Sequence, residues 1–183
     1  LSICKKKPIS LEVFADNFDQ MLEQARIINS WGKNIYVKIP VVNSKGFFSG
    51  KVIKKLSDKG IKLNITAVYT VNQVTKIINS INKKSKTIIS IFAGRMADAG
   101  KDPIPIIKES VKKTKKFKNI SILWASTREA YNFLQAKECG CQIITMPPNV
   151  INKISHFGKS YKDLTLDTVK KFLEDSKRSE FTI

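Results

Sequence analysis

A chain of 183 residues, 42% of them hydrophobic, with a net charge of +18, has the apolar content for one globular core and is not a disordered polyelectrolyte. No apolar run is long enough for a transmembrane helix, and the start, Leu1-Ser-Ile-Cys-Lys-Lys-Lys-Pro8, lacks the apolar stretch of a signal peptide. The charge alone would admit nucleic acid. However, the lysines cluster only briefly, at Lys5–Lys7 and Lys112–Lys118, and no helix-turn-helix, zinc-finger or stacked-aromatic pattern accompanies them. The expectation is therefore a solvated surface that steers small anions, with no nucleic-acid or membrane partner.

The predicted elements alternate along the chain. Pro8 to Phe14 reads as a strand, followed by a helix capped by Asp16 or Asn17, with Phe18, Met21, Leu22, Ala25 and Ile28 on one face and Gly32 at its end. Asn34 to Val41 reads as a short parallel strand buried on both faces. After a polar loop, Asn43 to Gly50, comes a helix through Val52, Ile53 and Leu56 that stops at Gly60. Ile61 to Val68 is the third strand. Thr70 caps a helix with Val71, Val74, Ile77, Ile78 and Ile81 on its face. Thr87 to Ile91 is the fourth strand, and Ala93 to Lys101 reads as a loop. Asp102 then caps a helix with Pro103 at its first position. Ile120 to Trp124, a helix over Thr127–Glu138, and a strand Cys141–Thr145 stopped by Pro147 and Pro148 follow. A helix near Asn149–Ile154 and a longer one from about Asp167 to Arg178 finish the chain. Six strands alternating with helices predict βαβ units and a parallel sheet, open or closed into a barrel. No dinucleotide fingerprint or P-loop follows any strand.

The three cysteines, Cys4, Cys139 and Cys141, and the lone His156 make neither a disulfide framework nor a zinc site. A reducing, cytoplasmic setting is expected.

Polar residues interrupt otherwise apolar strands in five successive cases. They are Glu12; Lys38; Asn64 and Thr66; Ser90, with Phe92 and Arg95 beyond it; and Ser126 with Arg128. They fall toward the C-terminal ends of the strands, the side on which parallel α/β folds place their sites. An apolar strand strips water from the Lys38 ammonium and favours the neutral amine, a nucleophile toward carbonyls. Glu12 and Thr66 have the groups to hold a water for the proton transfers of Schiff-base formation. Arg95, Arg128 and the Ser126 hydroxyl have the donors to grip a phosphate.

The motifs Ser10-Leu-Glu-Val-Phe14, Val37-Lys-Ile-Pro40, Gly60-Ile-Lys-Leu-Asn-Ile-Thr66, Ser90-Ile-Phe-Ala-Gly-Arg95, Ala125-Ser-Thr-Arg128 and Ile144-Thr-Met-Pro147 run in order over essentially the whole chain. In them the chain resembles the transaldolase family, in particular its small single-domain branch that includes fructose-6-phosphate aldolase. The resemblance implies one partial TIM (β/α)8 barrel domain over 1–183, its six strands matching the third to the eighth of the family. It also implies cofactor-free Schiff-base chemistry on phosphorylated sugars. Lys38 matches the Schiff-base lysine, Glu12 and Thr66 the water-holding pair, and Asn64 and Ser90 polar positions around the substrate. Arg95, Ser126 and Arg128 match the phosphate and substrate grip. Phe92 stands where aldolases acting on free dihydroxyacetone carry Tyr, which favours transaldolase over the alternative, fructose-6-phosphate aldolase. The family's first-strand Asp and the Asn of its Thr-Thr-Asn-Pro motif are absent from these 183 residues. A non-catalytic relative or a basic binding module therefore stays open as a rival. A C-terminal helical segment, about 160–183, is expected to contact a neighbouring subunit of a homo-oligomer.

Overall fold

Alternation within the strands decides the architecture. In β2 (Ile35–Pro40), Ile35, Val37 and Ile39 are fully buried, while Tyr36, Lys38 and Pro40 between them stay partly accessible. The same period of two runs through β1 (Ile9–Glu12), where Ser10 and Glu12 are exposed and Ile9 and Leu11 are half-buried. One face is thus apolar and the other polar. The strand expected to be buried on both faces is fully buried on only one, because its second face looks into an open concavity.

The computed structural model describes Cys4 and residues 7–179 of the chain. The remaining strands are β3 (Leu63–Val68), β4 (Thr87–Ile91), β5 (Ile120–Trp124) and β6 (Ile143–Ile144). All neighbours pair in parallel, in the order β1-β2-β3-β4-β5-β6. Sequential parallel pairing with a helix after each strand is the topology of a (β/α)8 barrel, of which these six strands form a curled arc. The outer face packs under α1 (Phe18–Ser30), α2 (Gly50–Asp58), α3 (Val71–Ser80) and α5 (Ile104–Thr114). There Met21, Val52, Ile53, Val74, Ile77 and Ile107 meet Val37, Ile39, Leu63, Ile65, Ile89 and Ile122 in one continuous core. Each such side chain contributes about 1.5–3 kcal/mol, so the fold rests on this face.

Local signals place the helix starts. The Asn17 carboxamide accepts from the Asp19 and Gln20 amides and caps α1, while Asp16 turns instead to Ser44. Thr70 and Gln73 close a capping box on α3. Asp102 accepts from the Ile104 amide, but Pro103 occupies the cap position and α5 begins one residue later than expected.

Four expected boundaries are corrected. The stretch read as a loop from Ala93 contains α4 (Ala93–Asp98), a short helix after Phe92. The helix expected from Thr127 begins as α6 only at Asn132 and runs to Glu138, because Asn132 Oδ1 holds the Arg128 and Glu129 amides in a loop. The sixth strand shortens to two residues. The last helix starts early, at Tyr161, where Ser160 Oγ accepts the Asp163 amide.

The chain divides into two compact units, Leu1–Pro147 and Pro148–Ile183. The second comprises α7 (Pro148–Ile151), a 3₁₀ turn over Asn152–His156 where a single helix was expected, and α8 (Tyr161–Ser179). On α8, Leu166, Val169, Phe172 and Leu173 form an exposed apolar stripe. Phe181 and Ile183, which follow in the segment expected to contact a neighbouring subunit, lie outside the described residues.

Candidate functional site

The inner face of the arc carries the polar residues. Register places Glu12 beside Lys38 and Lys38 beside Asn64. Lys38 Nζ meets Glu12 Oε2 at 3.2 Å. The Lys38 side chain keeps 29% of its accessibility, so the full desolvation expected of it is not realised; the open inner face and the carboxylate partner are the reason. Asn64 is 4% exposed and anchors a chain of hydrogen bonds. Its Nδ2 donates to Ser10 Oγ at 2.9 Å, and Ser90 Oγ donates to its Oδ1 at 2.7 Å. Ser10 and Asn64 sit two strands apart and meet over β2 because the sheet is concave.

Thr66 lies next in β3. The register with β4 shifts between Ile65 and Val68, and Ala67 takes a left-handed conformation, φ 59°. Among the described residues, four buried side-chain polar atoms have no partner: Ser49 Oγ, Thr66 Oγ1, Thr87 Oγ1 and Trp124 Nε1. Of these residues only Thr66 lines the inner cleft. A buried hydroxyl without a partner costs about 1–3 kcal/mol, a cost that a bound ligand or water would relieve.

The other half of the site is built from the loops after β4 and β5. Phe92 stacks edge-on against Tyr69 at 5.9 Å between centroids, and the Arg95 guanidinium lies 5.2 Å from the Phe92 ring centre. Ser126 holds φ 67°. A side chain on Gly94 would begin 1.6 Å from the Ser126 carbonyl oxygen, so only glycine permits this approach of α4 to the loop. Arg128 Nη1 donates to Ser126 O and Oγ at 2.9 and 3.2 Å. Its Nε donates to Asp98 at 2.9 and 3.1 Å, and Nη2 donates to the same carboxylate. The Arg128 hydrogen bonds, with the Arg95 charge adding to them, hold the Asp98 carboxyl below the usual range; Asp98 in turn raises Arg128.

A cleft of about 690 Å³ opens on the inner face, within the range of small-molecule sites. Of the nine residues expected at a site, six line it: Lys38, Asn64, Thr66, Ser90, Phe92 and Ser126. Glu12 joins through Lys38, Arg128 through Ser126 and Arg95 through Phe92. Sequence reasoning missed Ser10 as a site residue, along with Gly94 and Asp98. Asp98 was legible only as the i+3 neighbour of Arg95 on a helix, and that helix was read as loop. Chemically, the arrangement offers an amine beside a carboxylate, an unpartnered hydroxyl, and two guanidinium groups. Among the described residues no cluster of three His, Cys, Asp or Glu could hold a metal, and no helix is long and apolar enough to cross a membrane.

Comparison with known proteins bears on this arrangement. The family model described as Transaldolase/Fructose-6-phosphate aldolase matches residues 1–183. A "Probable transaldolase" of Herpetosiphon aurantiacus is 31% identical over 148 residues, 80% of this chain and 63% of the relative. One of Nitrosopumilus maritimus is 30% identical over 151 residues, 81% and 64% respectively. One of Thermoplasma volcanium is 35% identical over 175 residues, 93% and 71%. The chain thus spans a little under two thirds of the first two relatives. Among solved structures, the crystal structure of mandelate oxidase with benzoyl-formic acid superposes with a TM-score of 0.50 at 11% identity, over 76% of this chain and 48% of the other. That likeness concerns the fold alone.

Proposed function

The chain belongs to the transaldolase/fructose-6-phosphate aldolase family, and on that premise we propose that its inner cleft carries Schiff-base chemistry on phosphorylated sugars. The observation that supports this reading best is the contact of Lys38 with Glu12 at 3.2 Å on the inner face, beside the partnerless Thr66 hydroxyl. The Lys38 amine adds to the ketose carbonyl carbon. Glu12 and Thr66 hold the water through which the carbinolamine loses hydroxide as water and becomes an imine. The bond between the carbon next to the imine and the hydroxyl-bearing carbon beyond it then breaks as that hydroxyl gives its proton to the water held by Glu12 and Thr66, which releases an aldose phosphate and leaves a three-carbon enamine on Lys38. The enamine adds to an acceptor aldehyde, whose oxygen takes the proton back, and water hydrolyses the new imine to free the product and regenerate the amine. Donor and acceptor are a ketose phosphate such as fructose 6-phosphate and an aldose phosphate such as erythrose 4-phosphate, in the pentose phosphate pathway of the cytoplasm.

Asn64 and Ser90, tied to each other, orient the substrate hydroxyls. Ser126, Arg128 and Arg95 hold its phosphate on the opposite wall, with Phe92 between the two. Phe92 in place of a tyrosine supports transfer to an acceptor over simple aldol cleavage. The exposed stripe of α8 is the face a second copy covers, in a single barrel domain extended by this segment. Light scattering on the chain and on a form ending at Gly158 should then give different association states, and equal masses would remove the oligomer from the proposal.

The central test is covalent. Incubation with fructose 6-phosphate, borohydride reduction and peptide mapping should place the adduct on Lys38, and Lys38→Arg should abolish it, since a guanidinium stays protonated. An adduct confined to surface lysines would end this reading.

A further inference from the structure

All three guanidinium nitrogens of Arg128 already donate: Nε and Nη2 to Asp98, and Nη1 to Ser126 O and Oγ. A phosphate gripped by the arginine fork takes two parallel N–H groups on neighbouring nitrogens, so it competes with the present partners for Arg128.

The two partners differ in how firmly they are fixed. The Ser126 carbonyl is locked from behind: its residue holds φ 67°, and Gly94 presses on the oxygen with no room for even a methyl group. Asp98 ends the short helix α4, its side chain is 51% accessible, and it sits three residues after Arg95, the spacing that brings helical side chains together. An accessible ion pair of this kind contributes little net stability, and a phosphate brings more charge to the same donors than a carboxylate.

We propose that Asp98 is an internal competitor for the phosphate. In the free protein its carboxylate fills the Arg128 fork. An arriving phosphate displaces it, and the carboxylate turns to Arg95 on its own helix. The exchange keeps Arg128 aimed and prevents weakly held single charges from occupying the grip. It also lowers the apparent affinity for phosphate by the fraction of molecules in which the fork is filled. This proposal rests on the reading of Arg128 and Ser126 as the phosphate grip.

Calorimetric titration of inorganic phosphate into the chain tests it. Asp98→Asn, with Asp98→Ala as a second variant, should bind phosphate about five- to ten-fold more tightly than the parent. Arg128→Ala should lose binding, and adding Asp98→Asn to Arg128→Ala should restore none of it. Asp58→Asn, which removes an equal charge elsewhere on the surface, should leave the affinity unchanged. Weaker or unchanged binding in both Asp98 variants, an equal gain from Asp58→Asn, or a gain that survives loss of Arg128 would each overturn the proposal. Borohydride trapping with fructose 6-phosphate reads Lys38 separately. A parent chain that traps nothing on Lys38 while Asp98→Asn still tightens phosphate would sink the Schiff-base reading and leave the exchange standing.

Discussion

The two faces of one sheet obey opposite rules. On the outer face of β3, Ile65 is fully buried among Ile39, Ile89 and the residues of α2 and α3. On the inner face its neighbour Thr66 is almost as buried, yet its hydroxyl has no partner. Stability is concentrated where apolar side chains fill the core, and reactivity where a polar group is held at the cleft without a partner. The carbonyl and phosphate halves of the inner face repeat the contrast at finer scale. Lys38 has one partner and an open cleft before it, whereas Arg128 is nearly saturated by Asp98 and Ser126.

Adjacent substitutions break this comparison most sharply. Ile65→Ala removes buried methylenes from a core that cannot collapse around them, and should cost about 2–5 kcal/mol in urea unfolding. The folded fraction should still form the Lys38 adduct, since no inner-face group has moved. Thr66→Val keeps the volume and deletes an orphaned hydroxyl, so stability should stay within about 1 kcal/mol of the parent or rise. Adduct formation should nevertheless slow by about a hundred-fold or more as the water loses a holder. If Thr66→Val destabilised as strongly as Ile65→Ala, or left trapping untouched, the division of labour between the faces would be wrong.

How much of this was legible in the sequence follows from the same division. The outer face announced itself through apolar runs in the strands and a period near 3.6 in the helices, so the six strands and their parallel pairing were readable, as was the apolar stripe of each covering helix. The inner-face residues Lys38, Asn64, Thr66 and Ser90 were readable as polar breaks in those runs. What escaped was long-range and backbone-driven. Helix α4 is only six residues long and carries no side-chain cap, so it lacked a helical signature. The Asp98–Arg128 pair joins residues 30 apart through that helix. The contact of Gly94 with Ser126 depends on a missing Cβ and a left-handed serine, neither of which has a period. The late start of α6 turns on one carboxamide, Asn132, which the apolar pattern does not report.

The smallest expected effect concerns the loops that join the strand ends to the helices, where one exposed charge ties two loops together. Asp16, just after β1, accepts from the Ser44 amide at 2.6 Å and from the Ser44 hydroxyl at 2.8 Å, linking the first strand's loop to the second's. The Ser44 backbone bond, then its hydroxyl, with Lys45 adding a little, hold the Asp16 carboxyl below its ordinary value of 3.8. Because the folded value lies below the unfolded one, the stabilisation is fully present above about pH 4 and is lost as pH falls through the folded value. Asp16→Asn should therefore melt slightly below the parent at pH 7, and the gap should close between about pH 4 and pH 2. Asp58, Asp98 and Asp167 are held low by their own partners and titrate in the same window, so the parent itself loses stability there. Only the difference between the two proteins isolates Asp16. Asp16 is fully exposed and screened by solvent, so the gap should be a degree or two at most and should shrink in high salt. A gap that stayed constant from pH 7 to pH 2 would mean that the Ser44 contact acts through shape and not charge. The strand-end loops would then belong with the outer face as packing.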